Sequence, residues 1–263
     1  MLAELLELAP GGVEERTLED GTVEYAVYGA PGELPALPDL TAAAGGALVE
    51  VRTEEIADDW AERWRSFHRP LVLGSRLAVR PPWEGEVGVE VELVIDPGQA
   101  FGTGAHATTK LCLEALLGLS AGGALVDLGS GSGVLAVAAA RLGWGPVLAL
   151  DFDALAVEAS RANAARNGVT LEVERYDLRR DPVERSVAPT VVANLLAPLL
   201  LAWVERLRGA AELPRTVVAS GLLVSEGDRV AEAFAGLGFA EADRLTDREW
   251  AALVLTWTTL GVV

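Results

Sequence analysis

Two acids and three glycines carry the strongest chemical signal in this 263-residue sequence. In Val126-Asp127-Leu128-Gly129-Ser130-Gly131-Ser132-Gly133 an apolar run meets Asp127, then glycines follow at alternate positions, then Val134 to Ala140 form a strong helix-forming run. The order is strand, glycine turn, helix. Glycines let backbone approach a ligand closely, and a helix start offers unpaired N–H groups. A second apolar strand, Val147-Leu148-Ala149-Leu150, ends in Asp151, where a carboxylate can accept hydrogen bonds from a ribose. The constellation reads as a nucleotide-type cofactor site.

Spacing narrows the cofactor. A dinucleotide site uses G-x-G-x-x-G, with pyrophosphate resting on the helix N-terminus. Here Gly129, Gly131 and Gly133 run G-x-G-x-G, and Asp127 stands two residues ahead of the first. An acid at that point repels a pyrophosphate and suits a cation, such as a sulfonium carrying an α-amino group. The pattern resembles motif I of the S-adenosylmethionine-dependent methyltransferases.

These residues need a scaffold, and the pattern around them supplies one. From about residue 105 apolar strands and helical runs alternate: strands at 124–128, 147–150, 171–176, 190–194, 215–219, 239–245 and 250–257; helices at 105–118, 133–142, 154–167, 197–208 and 225–236. Such alternation means a doubly wound, mostly parallel α/β sheet of seven strands covered on both faces. The last two strands lack a helix between them and are expected to form an antiparallel hairpin. Before them comes a short β region: Val72-Leu73, Leu77-Ala78-Val79, Pro81-Pro82-Trp83 and Val89 to Ile95.

Residues 1–54 read as a small α+β domain. Leu2 to Leu8 has helical spacing, Val13 to Thr17 and Thr22 to Tyr28 alternate like strands, and Ala47 to Val51 forms another strand after a Pro- and Gly-rich loop and a short Ala-rich helix. Residues 55–69 read as a linker helix with Trp60, Trp64 and Phe67 on one face, a packing stripe rather than a cofactor box. The larger domain then covers residues 70–263.

Composition excludes other classes. With 51% hydrophobic and 23% charged residues the chain is a globular protein, and no apolar run reaches the ~20 residues that span a membrane. Its start lacks a basic region and cleavage site, so a cytoplasmic location is expected. Two histidines and the single Cys112 leave no zinc ligand set and no internal disulfide, so no metal is expected. A net charge of −18 argues against direct nucleic acid binding and favours a basic protein partner. Of the 21 basic side chains, Lys110 is the only lysine, which a genomic bias also explains.

A longer segment narrows the family. Ile95-Asp96-Pro97-Gly98-Gln99-Ala100-Phe101-Gly102-Thr103-Gly104-Ala105-His106-Ala107-Thr108-Thr109 resembles the AFGTG-x-H-x-TT segment of the methyltransferases that modify large-subunit ribosomal protein eleven. Trp60 to Phe67, Pro81-Pro82-Trp83, Val192-Ala193-Asn194-Leu195-Leu196, Ser220-Gly221-Leu222-Leu223 and Glu249-Trp250 are similar to further landmarks of that family. The resemblance covers roughly residues 56 to 257. It implies a class I methyltransferase (Rossmann-like) fold, S-adenosyl-L-methionine as cofactor, and methylation of lysine side chains and the N-terminal α-amine of a ribosomal protein by a monomeric enzyme.

The resemblance also implies roles. Thr108, Gly129, Asp151 and Asn194 would bind the cofactor, beside Asp127, Gly131 and Gly133 of the turn, and Phe101 would cover it. Gly102 and Gly104 give that segment the freedom to bend over a ligand. At Asn194 the sequence continues Leu195-Leu196-Ala197, not Pro-Pro-Tyr, which moves the reading away from glutamine and nucleic acid base acceptors. The Asn194 carbonyl can accept from an amine or from the cofactor's amino group.

The implied reaction is in-line displacement of the sulfonium methyl by an amine. Holding both reactants in line removes roughly 7–11 kcal/mol of barrier. A lysine of pKa ~10.4 is only about 0.04% neutral at pH 7, a cost of ~4.6 kcal/mol that desolvation in a cleft offsets. No dedicated base is required; His106 is the alternative base, set against a structural role at a helix start.

Two departures stand out. The chain opens on helix-like Met1 to Leu5 where the family has a strand, placing the acceptor in question, and Pro189-Thr190 replace the acid usually found ahead of the fourth strand. The competing expectations are a same-fold methyltransferase for another protein or small-molecule amine, and a non-catalytic S-adenosylmethionine-binding protein.

Overall fold

The computed structural model describes residues 13–17, 23–27, 69–96 and 106–258, and divides the chain into two compact units, Met1–Ala61 and Glu62–Val263. In the first unit, strands β1 (Val13–Thr17) and β2 (Val23–Val27) pair antiparallel, Val13 opposite Val27. The expected helix at 2–8, the short Ala-rich helix, the strand at 47–51, residues 55–68 of the linker helix and the segment carrying Phe101 lie outside the described residues.

The second unit opens with a three-stranded sheet: β3 (Leu71–Leu73), β4 (Leu77–Arg80) and β5 (Val91–Val94). β3 is antiparallel to β4, and β4 is parallel to β5. There follow α1 (Ala107–Gly118), β6 (Leu125–Leu128), α2 (Val134–Leu142), β7 (Val147–Asp151), α3 (Ala154–Arg166), β8 (Glu172–Arg175), β9 (Thr190–Asn194), α4 (Ala197–Leu207), β10 (Thr216–Leu223), α5 (Val224–Ala235), β11 (Phe239–Asp247) and β12 (Trp250–Trp257). A 3-10 turn at Val183–Ser186, which sequence periodicity does not reveal, precedes β9.

Seven of these strands form one sheet in the order β11-β12-β10-β9-β6-β7-β8. β8, β7, β6, β9 and β10 run parallel, while β12 is antiparallel to β10 and β11. The central strands β6, β7 and β9 are apolar almost throughout because helices cover both faces. Alternate residues serve opposite layers. Leu125, Ala149, Val192 and Val218 face the cluster built by α1, α2 and α3, while Val126, Leu148, Val191 and Val217 face Leu200, Trp203, Val230 and Phe234 of α4 and α5.

Strand order reverses between β6 and β9: the chain leaves β6 towards β7 and β8, then returns to β9 on the other side. Ligands of open α/β sheets bind beyond the carboxyl ends of the strands at such a point. The glycine turn and Asn194 both stand there.

One expectation needs correction. The strand placed at 215–219 runs on to Leu223 through an irregularity between Ala219 and Leu222. Gly221, at φ +82, absorbs the extra residue, and pairing with β12 resumes at Leu222 opposite Ala251. Among the described residues no helix is long and apolar enough to cross a membrane.

Candidate active site

The turn after β6 is held almost entirely by its own neighbours. The N–H groups of Gly129 and Ser130 both donate to the Leu150 carbonyl (2.8 and 3.0 Å), that of Gly131 donates to Asp151 Oδ2 (2.8 Å), and that of Gly133 donates to the Ser130 carbonyl (2.8 Å). A phosphate cradle works by leaving consecutive N–H groups open to the anion. Here the N–H groups of Gly129, Ser130, Gly131 and Gly133 are occupied by protein acceptors, so this geometry does not suit a pyrophosphate. Gly133 is required on two counts: its φ is +80, and a Cβ there would lie 2.9 Å from Ser160 Cα of α3.

Asp127 lies directly beneath the turn and is 0% exposed. It belongs to the row of Ala149 and Val192. Its Oδ2 accepts the Ala136 N–H at 3.0 Å, at the third position of α2, so the helix start that sequence reading left open is capped from below by this carboxyl. Its Oδ1 is buried and has no hydrogen-bond partner among the described residues. Burial pushes the Asp127 carboxyl up to about 7; the neighbouring charge of Asp151 adds to the rise and the Ala136 N–H opposes it. A buried acceptor without a donor is costly unless a ligand supplies one.

Asp151, at the end of β7, is oriented by two N–H groups: Gly131 on Oδ2 and Asp153 on Oδ1 (2.9 Å). Each oxygen keeps a further lone pair for an outside donor. Asp153 in turn caps α3 through Leu155 N–H (3.0 Å), and Phe152 between them is 61% exposed, with the Arg175 guanidinium 5.3 Å from its ring centre.

On the far side of the switch point, α1 docks its first turn against the ends of β9 and β10. Asn194 Nδ2 donates to Thr109 Oγ1 over a long 3.4 Å, which leaves Oδ1 as the acceptor facing other donors. Buried Ser220 Oγ donates to the Ala251 carbonyl (2.9 Å), with the Thr108 carbonyl at 3.4 Å. His106 is the N-cap of α1: its Nδ1 accepts from the Thr108 N–H (3.3 Å) and lies 2.8 Å from Thr108 Oγ1. Its ring stands edge-on to Trp250 at 4.9 Å, and burial lowers its pKa against a smaller rise from Glu249. Lys110 is ion-paired with Asp247 at 2.7 Å, tying α1 to the β11–β12 hairpin.

The structure therefore brings Asp127, Gly129, Gly131, Gly133 and Asp151 together around one turn, and Asn194, Thr108 and His106 around the start of α1. Sequence reading named Thr109 and Ser220 only within family landmarks, without a role, and missed Ser160 and Asn163; all four are buried. Their types carry no warning, because Ser and Asn inside a helical or strand pattern look like surface positions. Only their spacing on a core face marks them.

For the group a sulfonium-type site would hold, the residues fit: an acid with an unpartnered buried oxygen, a second acid with spare lone pairs, and a turn whose N–H groups are not presented to an anion.

A family model described as "Ribosomal protein L11 methyltransferase (PrmA)" matches residues 33–258. A ribosomal protein L11 methyltransferase of Pelotomaculum thermopropionicum is 40% identical over 212 residues, covering 79% of this chain and 69% of the relative. One from Gloeobacter violaceus is 41% identical over 199 residues, covering 74% and 62%. Among solved structures, the ribosomal protein L11 methylase of Lactobacillus delbrueckii subsp. bulgaricus superposes with a TM-score of 0.63 at 28% identity, covering 73% of this chain and 100% of that one. The chain thus spans 69% and 62% of the length of those two curated relatives.

Proposed function

Because the chain belongs to the ribosomal protein L11 methyltransferase family, we propose that it transfers methyl groups from S-adenosylmethionine to amino groups of a protein, with ribosomal protein L11 as the acceptor. The observation that carries the cofactor half is the unpartnered, buried Oδ1 of Asp127 under a turn whose N–H groups are already bonded. When bound, S-adenosylmethionine supplies an electrophilic methyl group on a positively charged sulfur.

The rest is done by the chain. Asp127 balances the donor's positive charge, and Asp151 accepts from ribose hydroxyls with the lone pairs that Gly131 and Asp153 leave open. Gly129 and Gly131 keep the turn free of side chains, and Thr108 closes the methionine end from the first turn of α1. Asn194 Oδ1 accepts an N–H of the incoming amine, directing its lone pair towards the methyl carbon. The acceptor loses its proton to solvent as it is desolvated. His106 holds α1 in place through Nδ1, whose lone pair is engaged in the cap and is not offered to a substrate proton. The family resemblance assigns the cover over the cofactor to Phe101, which lies outside the described residues, and the reading of the acceptor to the N-terminal residues. A ribosomal protein acceptor supports a cytoplasmic location.

Calorimetry on the full chain tests the reading. S-adenosylmethionine binds at a single site, NAD does not bind, and purified ribosomal protein L11 is methylated on its amines. Uptake of NAD, or of neither ligand, overturns it.

A further inference from the structure

Helix α3 and its C-cap bury a polar stripe: Ser160 at 0% exposure, Asn163 at 1% and the cap residue Asn167 at 9%. Asn is a poor residue for a helix interior, and a buried amide must be fully bonded to be tolerated. The bonds show what the stripe holds. Asn167 Oδ1 accepts the Val94 N–H and its Nδ2 donates to the Val94 carbonyl, both at 2.8 Å. One helical turn away, Asn163 Oδ1 accepts the Asp96 N–H (2.9 Å) and its Nδ2 donates to the Asp96 carbonyl (3.1 Å). The two amides act as a partner strand for the open edge of β5, reaching residues two apart as a ladder would.

Asn163 does one thing that Asn167 does not. Its Nδ2 also donates to the Ser132 carbonyl in the glycine turn, at 2.9 Å. Arg166 donates to its Oδ1 at 3.0 Å, so both donors face one side of the amide and both carbonyls the other, which fixes its orientation. Beside it, Ser160 Oγ donates to the Gly131 carbonyl at 3.0 Å and lies 3.1 Å from Ser130 Oγ. Two consecutive carbonyls of the turn are therefore anchored to α3. Because a peptide group is planar and trans, fixing the carbonyls of Gly131 and Ser132 also fixes the opposite N–H directions of Ser132 and Gly133. The Asp96 end of β5 is locked to the same amide.

We propose that Ser160 and Asn163 are positioning residues of the methyl-donor site: they set the peptide planes of the turn, while Asn167, bonded to Val94 and to the Asn163 carbonyl, holds the edge of β5 and the end of α3. The inference rests on the turn holding S-adenosylmethionine.

The test compares Ser160→Ala, Asn163→Ala and Asn167→Ala in the full chain, by calorimetric titration with S-adenosylmethionine and by thermal unfolding. Ser160→Ala and Asn163→Ala raise the Kd by about tenfold or more, the scale of one lost buried hydrogen bond. Asn167→Ala lowers the melting temperature yet leaves the Kd within about twofold. If Asn163→Ala does not fold, Ser160→Ala decides alone. The proposal fails if Ser160→Ala binds like the parent, or if Asn167→Ala weakens binding by the same factor. Failure of the parent chain to bind S-adenosylmethionine sinks the underlying reading instead.

Discussion

Asp127 meets opposed demands at the scale of a single residue. Its folded-state pKa, about 7, stands above the ordinary carboxylate value of 3.8, chiefly through burial. A raised acid contributes stability that is fully present below about 3.8 and is lost as pH rises through about 7. In ligand-free protein, Asp127→Asn therefore melts higher than the parent at pH 8, and the gain disappears towards pH 4. The same substitution removes the charge that meets a cationic donor, so its S-adenosylmethionine Kd rises at pH 8 by about tenfold or more, the effect of a ~1.4 kcal/mol charge-assisted contact. Thermal melts and titrations at both pH values check the pair; a variant that binds as well as the parent contradicts the role given to Asp127. This acid was legible in sequence because an acid between an apolar strand and a glycine turn has few structural uses. Ser160 and Asn163 were not, because partners distant in sequence give them their meaning.

Elements set the distances between these residues, and the approach of α1 to the strand ends is the joint most open to test. His106 closes α1 as an N-cap, and its lowered pKa, from burial first, makes that cap a source of acid sensitivity. A depressed group contributes stability present above its unfolded value, near 6.5, and lost as pH falls through the lower folded value. His106→Ala costs about 1 kcal/mol, the usual worth of a lost cap, whereas His106→Asn, a good capping residue, keeps stability and methyl transfer. Loss of transfer in His106→Asn with an unchanged melt would instead make His106 a base. On the neighbouring strands, Gly221 sits at φ +82 and a Cβ there would lie 2.6 Å from the Leu195 carbonyl oxygen. Gly221→Ala adds strain of about 1–3 kcal/mol and pushes back the Leu195 backbone that follows Asn194. Turnover falls more than cofactor affinity, as steady-state kinetics beside titration will register. Within residues 106–258 the helices and strands were readable from periodicity, with ends that shift by a residue or two except at β10. The bulge was not, because alternation alone does not say where a strand absorbs an extra residue.

For the molecule as a whole, two features frame the reaction: a net charge of −18 and the switch point between β6 and β9, where strand order reverses. The first predicts that a basic protein acceptor is drawn in electrostatically, so its KM rises with salt while kcat does not; equal rates at low and high salt would contradict this. Alternating elements announced a doubly wound sheet, but the order β11-β12-β10-β9-β6-β7-β8 is set by crossovers between distant strands, which spacing does not encode. The proposed roles of the glycine turn and Asn194 meet in transfer of a methyl group to an amine. The most direct measurement is tritiated methyl transfer from S-adenosylmethionine onto purified ribosomal protein L11, with Asn194→Ala beside the parent chain. Label on L11 that is lost with Asn194→Ala is the expected result. No label on L11, with S-adenosylmethionine bound and intact, would contradict the account.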